Sequence, residues 1–164
     1  MANNQANCLC AYIVENQARF YRLALSYLHD REEALDAVQT AVCRALEKQD
    51  SLKRADAVAT WFYRILVNIC TDRLRRRGRE VPLPPEALDT GSYEDPQPAD
   101  DALQTRVDAL PAEIQTVVKL RFYEELSLRE ISAVTGWNLG TVKSRLYSGL
   151  RKLRVSMEGV PRDE

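Results

Sequence analysis

Apolar side chains recur near helical spacing along most of this chain. Over residues 9–28 they are Leu9, Ile13, Phe20, Leu23, Ala24 and Leu28, which predicts one helix. Asp30 is placed to cap the next helix, which runs to about Lys48 with Leu35, Val38, Val42, Ala45 and Leu46 assigned to one buried face. A turn at Gln49–Asp56 leads into a third helix, about 57–77, buried through Val58, Phe62, Ile65, Leu66 and Ile69. Gly78 fits the C′ position that would close it.

The periodicity then stops. The stretch VPLPPEALDTGSYEDPQPADD holds five of the seven prolines, each lacking an amide donor and fixing φ, so no regular element is expected to cross it. A second helical domain starts near Asp101. Pro111 suits the first turn of a helix running to about Glu125. Ser127-Leu-Arg-Glu130 has the spacing of a capping box opening a short helix that Gly136 closes. Trp137-Asn138-Leu139-Gly140 turns the chain into a last helix. With Val142 as origin and 100° per residue, Leu146, Leu150 and Leu153 fall within about 80° of it, a core stripe. The expected fold is all-α: two small helical domains at 9–79 and 101–155, joined by a linker at 80–100.

Composition adds a charge pattern hidden by the total of −1. Residues 1–80 carry net +3, residues 81–110 net −6 and residues 111–164 net +2, so two basic ends flank an acidic middle. No Asp or Glu occurs between Glu130 and Glu158, a window of 27 residues in a chain with 24 acids. Within it, Lys143, Ser144, Tyr147, Ser148, Arg151 and Arg154 fall opposite the core stripe. A merely solvated face normally mixes signs. Short helix, glycine-containing turn, then an amphipathic helix with a basic and hydroxyl outer face is the helix-turn-helix pattern, whose chemistry suits DNA.

The third helix also carries a polar stripe, Thr60, Arg64, Asn68, Thr71 and Arg75, with Trp61 beside it. Two readings of Trp61 stand equal on these residues: a stacking platform for unpaired bases, or a core tryptophan with a snorkelling arginine. The run Arg73-Leu-Arg75-Arg76-Arg77-Gly78-Arg79 holds more charge than helix-dipole complementation needs, which points to a partner.

These segments together resemble a bacterial extracytoplasmic-function sigma factor of the sigma-70 family. ALDAVQTAVCRAL is similar to the family's core-binding helix, TWFYRILVNICTDRLRRR to its promoter-melting helix, and LSLREISAVTGWNLGTVKSRLYSGLRKLR to its C-terminal helix-turn-helix. The resemblance covers about 10–79 (sigma region 2) and 101–155 (sigma region 4). It implies a transcription initiation factor that binds core RNA polymerase, at the β′ clamp and β flap, and directs it to promoter DNA. Asp36, Gln39, Thr40, Arg44 and Glu47 would then contact the polymerase. Asp50, Ser51, Lys53, Arg54, Thr60, Trp61, Arg64, Asn68 and Arg75 would serve −10 recognition and melting, with a base captured beside the 50–56 loop. Thr141, Lys143, Ser144, Arg145, Tyr147 and Arg151 would read the −35 element. The acidic linker would thread the polymerase channel, and an anti-sigma factor would be the usual regulator. The chain departs from the family's pattern at Thr40, where an acid is common, at Thr116, where a basic residue is frequent, and at Ser148-Gly149, where Arg-Ala is frequent.

Other classes fare worse. A stand-alone helix-turn-helix regulator with a dimerisation or sensing domain gives no reason for the basic run at 73–79. One His, no glycine-rich phosphate loop and no nucleophile motif argue against an enzyme or a small-molecule substrate. Cys8, Cys10, Cys43 and Cys70 are expected as free or buried thiols, with no metal and no cofactor. No apolar run approaches the roughly 18 residues of a membrane span and no secretory signal is visible, so a cytoplasmic protein without membrane insertion is expected.

Overall fold

The computed structural model describes residues 2–80 and 101–158, and every regular element among them is helical. The chain divides into two compact units, Met1–Ser92 and Tyr93–Glu164. Beyond its first residue, the expected linker at 80–100 lies outside the described residues.

The first unit contains α1 (Ala2–Glu15), α2 (Gln17–Leu28), α3 (Arg31–Glu47) and α4 (Val58–Glu80), with 3-10 turns at Gln49–Ser51 and Ala55–Ala57 between α3 and α4. The single helix expected over 9–28 is two helices broken at Asn16. Its side-chain amide donates to the Tyr12 carbonyl at 2.8 Å while its φ of −114° leaves the helical region, the competition with backbone that disfavours Asn inside helices. The break lets Tyr12 of α1 fold back onto Phe20 of α2, ring centroids 5.6 Å apart, and Phe20 meets Phe62 of α4 at 4.5 Å. This aromatic cluster, with Leu9, Leu23, Leu28 and Leu66, is the centre of the unit.

Asp30 caps α3 as expected, accepting from the Glu32 and Glu33 amides at 2.9 and 3.1 Å. The buried face of α3 differs from the expectation. It is made of Ala34, Ala37, Ala41 and Ala45, spaced i, i+3, i+7, i+11, while Val38 and Val42 are half-buried. Leu35 and Leu46, expected in the core, are 52% and 39% exposed. Small side chains at a helix contact allow close interaxial approach, here to α2 and α4. Gly78 does not end α4, which continues to Glu80. The Arg77 guanidinium pairs with Glu33 and donates to the Leu28 carbonyl at 3.0 Å, capping an orphan acceptor of α2 and tying the last turns of α4 to the bundle.

The second unit contains α5 (Asp101–Asp108), α6 (Ala112–Phe122), α7 (Leu128–Thr135) and α8 (Leu139–Glu158). The helix after Pro111 ends earlier than expected, with Tyr123 as its C-cap and Glu125 at φ 58° turning the chain. α5 and α6 are locked by a buried polar group. Lys119, fully buried, pairs with Asp108 at 3.1 Å and donates to Gln115 Oε1 at 2.7 Å. Gln115 in turn donates to the Asp108 carbonyl at 3.1 Å, and Gln104 to Asp108 Oδ1 at 2.9 Å. A charge removed from water needs such partners to persist. Thr116 is buried beside them rather than presented to solvent.

The capping box forms: Ser127 Oγ accepts from the Glu130 amide at 3.1 Å, and Glu130 Oε1 from the Ser127 amide at 2.9 Å. Gly136 closes α7 at φ 79°, a conformation that glycine adopts without steric cost. Along α8 the buried stripe is Val142, Leu146, Gly149 and Leu153. Leu150, expected in that stripe, is 38% exposed, because Gly149 lies at its centre and packs on α6.

Candidate nucleic-acid interface

Opposite that buried stripe, α8 exposes Lys143, Ser144, Tyr147 and Arg151, with Thr141 and Ser148 half-buried at the margins. Tyr147 is 60% exposed, an aromatic ring held in solvent on an acid-free surface. The helix start is fixed by Asn138, whose Oδ1 accepts from the Thr141 amide at 2.8 Å. Arg145 is placed differently from the other five residues assigned to this face. Its guanidinium lies over the Trp137 ring, 4.1 Å from the centroid, and pairs with Glu113 of α6 at 3.0 Å. Its Nη1 is shielded from solvent without a hydrogen bond.

In the first unit the 3-10 turns are pinned by Leu52, which is buried between them. Asp50, Ser51, Lys53 and Arg54 are exposed around it, and Arg54 pairs with Asp56 at 2.9 Å. Trp61 is half-buried and directs its indole Nε1 to Ser51 Oγ at 3.3 Å, so the ring stands against the loop rather than inside the aromatic cluster. Arg64 and Asn68 follow on the same face of α4, both exposed, and Arg75 is exposed two turns further on. Thr60 is turned to the backbone, donating to the Ala57 carbonyl at 3.1 Å.

The basic run at the end of α4 is largely spoken for within the fold. Arg73 pairs with Asp36 of α3 at 2.8 Å and donates to Thr40 Oγ1 at 3.1 Å. Arg76 pairs with Asp72 one turn back, and Arg77 with Glu33. The surplus charge inferred from the sequence is therefore smaller than the residue count suggests.

The family Sigma-70 region 2 matches residues 12–80, and Sigma-70, region 4 matches residues 100–153. The chain belongs to the sigma-70 family. It is 35% identical over 150 residues to RNA polymerase sigma factor SigV of Bacillus subtilis (strain 168), covering 91% of this chain and 90% of that one. It is 30% identical over 155 residues to ECF RNA polymerase sigma factor SigW of the same organism, covering 85% and 83%. Among solved structures, sigma factor RpoE in complex with the anti-sigma factor NepR from Bartonella quintana has a TM-score of 0.73 at 22% identity, covering 93% of this chain and 97% of that one. CnrH in complex with the cytosolic domain of CnrY has a TM-score of 0.72 at 19% identity, covering 98% and 94%. The fold is thus that of known sigma factors. The protein is an extracytoplasmic-function sigma factor, a transcription initiation factor.

A further face of this sigma factor was not legible from periodicity. α3 turns Leu35, Gln39, Cys43 and Leu46 outward beside Asp36 and Glu47, two exposed leucines among polar and acidic side chains, with Arg44 exposed on the flank. The available signal was the alanine spacing, which occupies the buried side and leaves the leucines none. Among the described residues no group of three or more His, Cys, Asp or Glu side chains converges, and no disulfide joins Cys8, Cys10, Cys43 or Cys70. No described helix is long and apolar enough to cross a membrane.

Proposed function

We propose that this sigma factor directs core RNA polymerase to promoters by dividing the work between its units. The outer face of α8, Lys143, Ser144, Tyr147 and Arg151 with Thr141 at its margin, reads the −35 element in the major groove. The loop bearing Asp50, Ser51, Lys53 and Arg54 and the α4 face of Thr60, Trp61, Arg64, Asn68 and Arg75 handle the opened −10 element. α3, through Asp36, Gln39, Thr40, Arg44 and Glu47 together with the exposed Leu35 and Leu46, docks on the β′ clamp, and the second unit meets the β flap. An anti-sigma factor is the regulator this reading expects, in keeping with a structural neighbour solved with NepR.

The observation that carries the reading is the outer face of α8: basic and hydroxyl side chains in solvent, no acid from 131 to 157, and a buried stripe that fixes which way they point. One helix-turn-helix with few basic contacts gives mostly salt-sensitive, non-specific affinity by itself. Specific promoter binding should therefore need core polymerase. The test compares binding to promoter DNA with and without core enzyme at about 0.15 M salt, for wild type and Lys143→Ala. Wild type is expected to be specific only as holoenzyme, and Lys143→Ala to lose roughly 1–3 kcal/mol on DNA with a −35 element and little on DNA without one. Tight, specific binding by the free protein would instead identify a self-sufficient regulator.

A further inference from the structure

We infer that Arg145 is a positioning residue, and that Glu113 of α6 and Trp137 of the turn before α8 set the pose of α8 through it. This deepens the reading of α8 as the −35 reader and rests on it.

Three observations converge on the side chain. Its Nη2 meets Glu113 Oε2 at 3.0 Å, its plane covers the Trp137 indole at 4.1 Å, and Nη1 is closed off from solvent. A guanidinium reads phosphate or guanine by presenting a free fork of donors. Here one arm of that fork is engaged and another is inaccessible, so Arg145 reaches DNA only by abandoning both contacts. Its exposed neighbours Lys143, Ser144 and Tyr147 carry no such ties.

The three residues belong to three different segments. Glu113 stands in the first turn of α6, Trp137 in the turn between α7 and α8, and Arg145 in the second turn of α8. The Trp137 carbonyl also accepts from Ser132 of α7, and Asn138 next to it caps α8. Arg145 thus clasps the supporting helix, the turn and the reading helix at one point. That bond sets the rotation of α8 about its own axis, and with it the groove position of Lys143 and Tyr147.

The clasp makes a prediction opposite in sign to simple electrostatics. Glu113 is an acid in the DNA-binding unit, and within a Debye length of phosphate its removal would raise affinity if it had no other role. As the anchor of Arg145, its removal lowers affinity. The experiment uses holoenzyme reconstituted from core RNA polymerase and the full chain. The probe is a duplex selected from random upstream DNA by the wild-type holoenzyme, compared with the same duplex carrying a scrambled −35 segment, across a salt series. Glu113→Gln is the main variant, since the residue is well exposed and the change is nearly isosteric. Arg145→Ala and Arg145→Lys accompany it, with thermal melts as controls.

Glu113→Gln is expected to weaken −35-dependent binding roughly three- to tenfold at an unchanged melting temperature, as loss of a positioning ion pair would. Arg145→Ala should weaken it at least as much, without changing the slope of log affinity against log salt, and Arg145→Lys should restore part of the loss. Unchanged or tighter binding by Glu113→Gln overturns the inference. So does a salt slope reduced by about 0.9 in Arg145→Ala, the signature of a lost phosphate contact. Lys143→Ala separates the two levels: no effect there defeats the −35 reading itself, whereas a loss there beside a silent Glu113→Gln defeats only the clasp.

Discussion

Replacing Gly149 by alanine sets two effects of similar size against each other. Alanine is the better helix former by about 0.8–1 kcal/mol, and family resemblance would recommend it at this position. The structure argues the other way. A Cβ built on Gly149 lies 2.7 Å from Ile114 Cγ2 and 2.8 Å from Val118 Cγ2, both on α6, and 4.0 Å from Leu110 Cδ1. The two close contacts are methyls on β-branched carbons, whose χ1 wells are stiff, so neither can swing aside cheaply. α6 and α8 must separate by several tenths of an ångström in the cluster of Val107, Leu110, Ile114, Val118 and Leu153. Overpacking of that kind costs about 1–3 kcal/mol, which exceeds the propensity gain. The expected outcome is a net destabilisation near 1 kcal/mol, a fall of about 4–8 °C in the melting of a unit this small. Trp137 is in the second unit and Trp61 in the first, so fluorescence melts in a Trp61→Phe background report the second unit alone. Val118→Ala should cost less in the Gly149→Ala background than in wild type, a double-mutant coupling of about 0.5–1 kcal/mol. A higher melting temperature for Gly149→Ala would refute the argument, by showing that the α6–α8 spacing relaxes freely.

Arg64→Ala should leave holoenzyme assembly, melting temperature and −35 binding intact while reducing permanganate reactivity of −10 thymines on duplex promoter; a pre-melted bubble should rescue it. Equal loss on both templates would make Arg64 structural. Ser127→Ala removes one half of the capping box and should cost about 1 kcal/mol of second-unit stability, read in the same fluorescence melts. Leu35→Gln with Leu46→Gln should lower core-polymerase affinity measured by titration while leaving the first unit's stability within about 0.5 kcal/mol, because both side chains already stand in solvent. A marked loss of stability would return these leucines to the core.

What the sequence disclosed and what it hid divide along a physical line. The Asp30 cap, the Ser127–Glu130 box and the Gly136 terminus are decided by side chains within a few residues of the groups they satisfy, and all three formed as expected. Sequence pattern placed α3, α4, α6, α7 and the outer face of α8, but it named no helix where α5 stands and ran α1 and α2 together. It misjudged α3, where hydrophobicity favoured leucine over alanine although the close approach of α2 and α4 selected the smaller side chain. It misplaced Leu150 for the same reason, since a glycine counts as nothing in a hydrophobic pattern yet marks the closest contact of α8. Gly78 and Asn16 were misread in opposite directions. The first was overridden by Arg77 reaching to α2 and α3, and the second broke a helix through its own amide. Arg145 was legible as a basic residue on a basic helix, but its partners stand 32 and 8 positions away, at Glu113 and Trp137, and only folding brings them together.

Arg73 and Arg77 lie one turn apart on α4 and between them hold four points on its neighbours: Asp36, Thr40, Glu33 and the Leu28 carbonyl. The consequence is mechanical. Sliding α4 along its axis, or rolling it, strains all four attachments together, so the helix behaves as a beam clamped at its C-terminal end. α3, the clamp's other jaw, carries the face assigned to the polymerase, and α4 carries the face assigned to unpaired DNA. Load applied to Trp61 and Arg64 is therefore borne by whatever α3 is bolted to, with little compliance in between. Docking the one helix fixes the footing from which the other can pull.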